Sequence, residues 1–208
     1  FANTTNEYPE TLQHIKWEKD CNGTNIISVL PIDGHGESWN FKKVVCHYGY
    51  PMFSKRIANA IRTCQHALTE RTQNNSLEYI DRNFKKYKKY IDDPISDKCC
   101  EKLKKYPLKR KARELGLKCS IIGILASESY QREKDWLEYG CNVFHERKDN
   151  QSRPLSFWTE EDIQEYIDRY NVRISDLYYM GYKRNGCMYC GFGVNLEEDG
   201  KNRYQRLK

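Results

Sequence analysis

Two short apolar runs set the strongest limit on how this chain can fold. Residues 25–32 (Asn-Ile-Ile-Ser-Val-Leu-Pro-Ile) and 120–125 (Ser-Ile-Ile-Gly-Ile-Leu) are nearly continuous in apolar residues and are bounded by turn formers, the first by Pro31 and the Asp33-Gly34-His35-Gly36 loop. Runs of this length and composition read as strands covered on both faces, the type found in parallel sheets. Amphipathic segments lie around them. Leu12, Ile15 and Lys19 follow Pro9 at helical spacing, Ile57, Ile61, Cys64 and Leu68 form one stripe, and Leu77, Ile80, Phe84, Tyr87 and Ile91 form another. Lys42 to Cys46 reads as a further short strand. Thr159 with Asp162 makes a capping box flanked by Trp158 and Ile163, which starts a helix running to about Tyr170. This alternation predicts an α/β fold, three-layer and doubly wound with a mainly parallel sheet. The expected division is an α/β domain over residues 1–150 and a helical and Cys-x-x-Cys segment over 151–208 packing on it. Phe1 to Thr5 reads as the end of a strand, so a first strand and phosphate loop are expected upstream of Phe1.

Composition excludes several classes. The 208 residues are 38% hydrophobic and 13% aromatic, which is enough to build a core and too much for a disordered tail. The longest apolar run, Ile121 to Ala126, is far too short to cross a bilayer, and no stretch has the order of a secretory signal. The net charge of +6 is uneven: between Phe84 and Arg113, twelve Lys and Arg face four Asp and Glu. Such runs are usually solvated helix faces, but Cys99 and Cys100 lie inside this one, where cationic surroundings stabilise thiolates or bound anions.

The nine cysteines are an odd number in a chain long enough to need no disulfide staples, which favours metal ligation or thiol chemistry in a reducing compartment. Two close pairs stand out, Cys99-Cys100 and Cys187-Met188-Tyr189-Cys190, the second set among Gly186, Gly191 and Gly193 so that backbone amides can point at sulfur. Two pairs from distant segments can supply four ligands to an iron–sulfur cluster or to zinc; adjacent cysteines suit the larger cluster better than one tetrahedral ion. The alternative is two buried helix cysteines and an accidental Cys-x-x-Cys. Cys21, Cys46, Cys64, Cys119 and Cys141 read as packing residues.

The ordered set Cys99-Cys100-Glu-Lys-Leu-Lys104-Lys-Tyr-Pro107-Leu108, Pro154-Leu-Ser-Phe-Trp158-Thr159-x-x-Asp162-Ile163 and Leu177-Tyr178-x-x-Gly181-Tyr182-x-Arg184-x-Gly186-Cys187-x-x-Cys190 is similar to the adenylylsulfate (APS) and phosphoadenylylsulfate (PAPS) reductase family, of the adenine-nucleotide alpha-hydrolase or PP-loop fold. Asn3-Thr4-Thr5-x-x-Tyr8-Pro9-Glu10-Thr11 resembles its strand-end motif, and Tyr48-Gly49-Tyr50-Pro51-x-Phe53-Ser54-Lys55-Arg56 resembles a segment of phage-borne and uncharacterised members. The resemblance implies a 4Fe–4S cluster on Cys99, Cys100, Cys187 and Cys190, with Lys104 between cluster and substrate anion. It also implies an adenine nucleotide (PAPS, APS or ATP) gripped by Glu128, Ser129 and Arg132 of an arginine loop over residues 123–132. Thr4 and Glu10 would line the nucleotide pocket, or cap the helix that follows. A cytoplasmic protein of bacterial or phage type, with a thioredoxin-like reductant and the possibility of an oligomer, is the matching expectation.

Three departures bear on the reaction. Leu125 and Ala126 stand where reductases place paired arginines, Thr5 stands where glycine is usual, and no Cys follows Cys190 to act as the nucleophile. One expectation is therefore sulfonucleotide reduction with a thiol from elsewhere. Another is a PP-loop ATP pyrophosphatase or sulfurtransferase acting on nucleic acid, as in DNA phosphorothioation, which the basic stretch favours. A third is a non-catalytic nucleotide-binding module.

Overall fold

The computed structural model describes residues 1–144, 150–194, 197 and 202–207. Among the described residues the strands are β1 (Met52–Phe53), β2 (Cys119–Ile121), β3 (Asn142–Val143), β4 (Asn150–Ser152) and β5 (Gly191–Phe192). The helices are α1 (Pro9–Cys21), α2 (Phe41–Tyr48), α3 (Lys55–His66), α4 (Glu70–Asn83), α5 (Lys98–Cys100), α6 (Tyr106–Glu114), α7 (Tyr130–Tyr139), α8 (Glu160–Tyr170), α9 (Asp176–Tyr179) and α10 (Arg203–Arg206). A π-helical turn, Glu101–Lys105, joins α5 to α6. The chain forms two compact units, Phe1–Lys109 with Ser175–Lys208, and Arg110–Ile174. Residue 150, the boundary expected from sequence, falls at the start of β4, inside the second unit.

In the first unit the main core lies between α3 and α4. Ile57, Ala58, Ile61 and Cys64 of α3 meet Ile80 of α4 and Ile95, all with at most 5% exposure. Ser54 caps α3 through the Ile57 N–H and Thr69 caps α4 through the Thr72 N–H, so both helices start where their side chains can satisfy orphan donors. The α3 stripe ends at Cys64: Leu68 lies beyond the helix and is fully exposed. The α4 stripe outlasts its helix. After Asn83 the backbone tightens into a 3-10 turn, Lys85–Tyr90, yet Phe84, Tyr87 and Ile91 still pack on the same core.

The segment from Lys42 to Cys46 is helical, not a strand. Asn40 accepts from the Lys43 N–H at 2.8 Å, and Phe41, Val44 and Tyr48 fall on one face against Cys99 and Leu103. That burial outweighs the strand preference of adjacent Val44 and Val45. Gly49 ends α2 at φ +99°, where an added Cβ would lie 2.6 Å from the Pro94 carbonyl oxygen.

The two apolar runs are less buried than expected. In residues 25–32 only Val29 (6%), bridged in parallel to Ala2, and Pro31 are buried, while Ile27, Leu30 and Ile32 are each at least 40% exposed. The second run gives β2, which is exposed along its length with Ile121 at 76%. The sheet of the second unit runs β2-β4-β3, so β2 is an edge with one neighbour, parallel β4; β3 pairs antiparallel to β4. In the first unit β1 pairs parallel with β5. The fold is α/β with parallel pairing, as the alternation of elements requires. Thr159 and Asp162 form the capping box reciprocally, and α8 ends at Tyr170 on a left-handed Asn171. No helix among the described residues is long and apolar enough to cross a membrane.

Candidate metal and anion site

All nine cysteines are unpaired thiols. Cys64 is a core residue, as its stripe predicts, but Cys21, Cys46 and Cys119 are exposed and fill no core. Cys99, Cys100, Cys187 and Cys190 converge instead on one small cavity, lined also by Thr4, Phe41, Leu103 and Lys104.

Each side of this cavity is set by local structure. Cys99 (5% exposed) and Leu103 (2%) are pinned under Val44 of α2, which fixes the face that α5 turns inward. The π turn that follows keeps Lys104 on the cavity beside the tandem cysteines; π turns inside helices recur at functional sites because they re-aim side chains. On the other side, β5 begins directly after Cys190. Gly191 lies so close to β1 that an added Cβ would sit 2.4 Å from the Pro51 carbonyl oxygen. Only glycine permits this approach, so the residue after Cys190 is dictated by packing.

The Cys187–Cys190 turn is held by three separate segments. The Met188 N–H donates to the Asn6 carbonyl at 2.7 Å, and the Tyr189 N–H donates to Asn6 Oδ1 at 3.3 Å. The hydroxyls of Tyr50 and Tyr204, 3.0 Å apart, both donate to the Tyr189 carbonyl. Arg203 Nη1 donates to the Cys190 carbonyl at 3.3 Å while its Nε donates to Glu197 at 2.8 Å. The Phe192 backbone N–H bonds the Cys190 sulfur, so a backbone amide does point at a thiol in this glycine-rich turn.

Electrostatics divide the thiols. Cys99 is raised, first because it donates its proton to Cys100 and then by burial; Cys100 is lowered by that same bond and by Lys55, Lys104 and Lys105. Burial raises Cys190. For Lys104 burial acts to lower the ammonium value, but the Cys187 sulfur, which it hydrogen-bonds, together with Cys100 and Glu7 outweighs this and the net shift is upward. Lys104 is therefore held as a cation beside the lowered Cys100 thiol. Thr4 is fully buried; its Oγ1 lies 3.6 Å from Cys187 Sγ and donates to Glu7 Oε1 at 2.6 Å.

Of the residues singled out from sequence, the four cysteines, Lys104 and Thr4 come together. Glu10 lies in the first turn of α1, whose N-cap is Tyr8, and it does not line the cavity. Glu128, Ser129 and Arg132 belong to the second unit. There the Glu128 carboxylate accepts from the Leu125 N–H at 3.1 Å and pairs with Arg132, and Ser129 caps α7. Asn6, Phe41, Arg203 and Tyr204 were not singled out, and Tyr50 entered only as part of the Tyr48–Arg56 motif. Their roles depend on contacts with residues far along the chain, except that Asn6 sits inside the strand-end motif itself.

Among the described residues, no three His, Cys, Asp or Glu donors come close enough to hold a single metal ion. An all-sulfur donor set is the chemistry of iron–sulfur clusters and of structural zinc alike.

Fold and site together define an α/β protein that presents four cysteines and a half-buried lysine around one cavity. The chain belongs to the phosphoadenosine phosphosulfate reductase domain family, whose model matches residues 51–191. It is 31% identical over 121 residues to adenosine 5'-phosphosulfate reductase of Mycolicibacterium smegmatis, covering 58% of this chain and 46% of that protein. It is also 31% identical over 103 residues to the enzyme of the same name from Anoxybacillus flavithermus, covering 50% and 42%. The chain thus spans a little under half the length of these curated relatives. The crystal structure of PAPS reductase from Candida auris in complex with phosphate matches with a TM-score of 0.51 at 15% identity, over 90% of this chain and 67% of that one, a likeness of fold.

Proposed function

We propose that the chain acts on an adenine sulfonucleotide, APS or PAPS, in reductive release of its sulfo group, with a 4Fe–4S cluster on Cys99, Cys100, Cys187 and Cys190. The observation that carries this reading is the convergence of these four sulfurs and Lys104 on one cavity. Relatives named adenosine 5'-phosphosulfate reductase support the substrate class.

The cluster would supply an anionic, polarisable sulfur-rich surface beside the substrate. This chain's residues do the rest. Lys104, charged and held by Cys187, balances that negative charge and offers N–H donors to a sulfate or phosphate oxygen. Thr4 fixes the Cys187 side through Glu7. Glu128, Ser129 and Arg132 would grip the anionic end of the nucleotide; Arg132 is 39% exposed and so can exchange Glu128 for a phosphate. The attacking thiolate would come from outside these residues, from a dithiol or thioredoxin-like partner or from a further carboxyl-terminal segment. It would form a bond to the sulfo sulfur as the S–O bond to the nucleotide breaks; the second thiol then displaces sulfite, leaving a disulfide.

Cluster-loaded chain incubated with APS or PAPS and a dithiol is expected to release sulfite and AMP or adenosine 3',5'-bisphosphate. No sulfite from either nucleotide would contradict the reading. One observation favours a second reading, an ATP pyrophosphatase or sulfurtransferase acting on nucleic acid. Positions 125 and 126 carry no arginine, and Ala126 is buried with its N–H bonded to the Ser156 carbonyl at 2.8 Å. Pyrophosphate release from ATP, stimulated by nucleic acid, would replace the first reading with this one.

A further inference from the structure

Asn6 is 2% exposed and three of its four polar groups are occupied by the site's own backbone or by Glu7. Its carbonyl accepts from Met188 N–H, its Oδ1 accepts from Tyr189 N–H, and its N–H donates to Glu7 Oε2 at 3.2 Å. The fourth, the side-chain amide Nδ2, is buried with no partner among the described residues. A sealed donor left unpaired is costly, and native proteins keep few of them. The bond from Tyr189 fixes which end of the amide is oxygen, so the orphan is the NH2 group and cannot be relieved by a flip. Nδ2 shares its carbon with Oδ1 and is therefore tethered to the turn between Cys187 and Cys190. The sulfurs of Cys187 and Cys190 flank that turn, and sulfurs accept more strongly once they are anionic and metal-bound.

We infer that Asn6 is a positioning residue for the loaded site: Nδ2 donates to a sulfur of the Cys187–Cys190 side when the cluster is bound, while Oδ1 holds the turn. The inference rests on the cluster reading given above. Donors of this kind outside the ligand set tune cluster stability and potential, and losing one typically costs 10–100-fold in metal retention.

The test uses the full chain, reconstituted anaerobically with iron and sulfide, as wild type, Asn6→Asp and Asn6→Leu. Asn6→Asp keeps the acceptor for Tyr189 and removes the donor; Asn6→Leu removes both without adding charge. Iron loss to a ferrous chelator is followed, with the resonance Raman Fe–S stretching bands in H2O and D2O. About tenfold faster iron loss is expected in both variants, with loss of part of the deuterium shift seen in wild type. A merely structural role would leave that shift intact in Asn6→Asp. Wild-type retention and an unchanged shift in Asn6→Asp would overturn the inference alone, as would a defect confined to Asn6→Asp, which its added charge explains. If wild type takes up no iron and sulfide, the cluster reading falls and the inference with it.

Discussion

Thr4 Oγ1 sits 3.6 Å from Cys187 Sγ, although 183 residues separate them along the chain. The contact ties the first segment of the chain to the Cys-x-x-Cys turn, and Thr4 hands its proton to Glu7 rather than to solvent. Thr4→Val keeps the shape but removes the hydroxyl donor to Glu7, leaving the carboxylate only the Thr4 and Asn6 backbone N–H groups. It is expected to destabilise the apo protein by about 1–2 kcal/mol, read as a lower urea midpoint at unchanged slope. A midpoint equal to wild type would show that the bond is not part of what holds this side of the site.

Lys104 gives a pH prediction. Its ammonium is held above the ordinary lysine range by Cys187, Cys100 and Glu7 against the opposing effect of burial, so its stabilisation is complete below that range and is lost as pH rises through the raised value. Cys100 is the reverse case, an acid lowered by Cys99 and by lysines including Lys104. Its thiolate stabilises the fold above the ordinary thiol range and that contribution fades as pH falls through the lowered value. In Lys104→Gln the alkylation of Cys100 in apo protein should therefore shift to higher pH, measured residue by residue by mass spectrometry. An unmoved profile would remove Lys104 from the field at the thiols.

Gly191 and Gly193 separate two reasons for glycine. At Gly191 a methyl group would meet the Pro51 carbonyl at 2.4 Å, backbone against backbone, so Gly191→Ala must part β1 from β5. A loss of roughly 3 kcal/mol or more is expected, together with lost iron uptake. Gly193 has φ +74° and an added Cβ would meet only the Arg184 side-chain tip at 4.0 Å, an ordinary contact, so Gly193→Ala costs only about 1 kcal/mol. Thermal unfolding of the two variants distinguishes them; equal midpoints would refute the packing account of Gly191.

What the sequence made legible follows physical range. The α8 capping box, the α3 stripe and the α1 start are local, and local chemistry placed them correctly. The Val44-Val45 pair read as strand because β-branching was visible while the burial of Val44 on Cys99 and Leu103 was not. The run 120–125 read as doubly covered because apolarity reports preference, whereas β2 holds an edge with a single neighbour. The four cysteines were legible through motif order and resemblance, since their spacing alone left zinc and accident open. Asn6, Arg203 and Tyr204 were not, because their partners lie on the Cys-x-x-Cys turn and only the folded chain brings them there.

The central claim is that Cys99, Cys100, Cys187 and Cys190 act as one ligand set. Iron and acid-labile sulfide analysis of the chain reconstituted under strict anaerobiosis tests it most directly. Wild type should carry roughly four of each per chain. Alanine at any of the four should abolish the complement, and alanine at Cys21, Cys46 or Cys119 should leave it unchanged. A wild-type chain that holds a single iron or zinc, or a full complement surviving both Cys99→Ala and Cys187→Ala, would contradict the account.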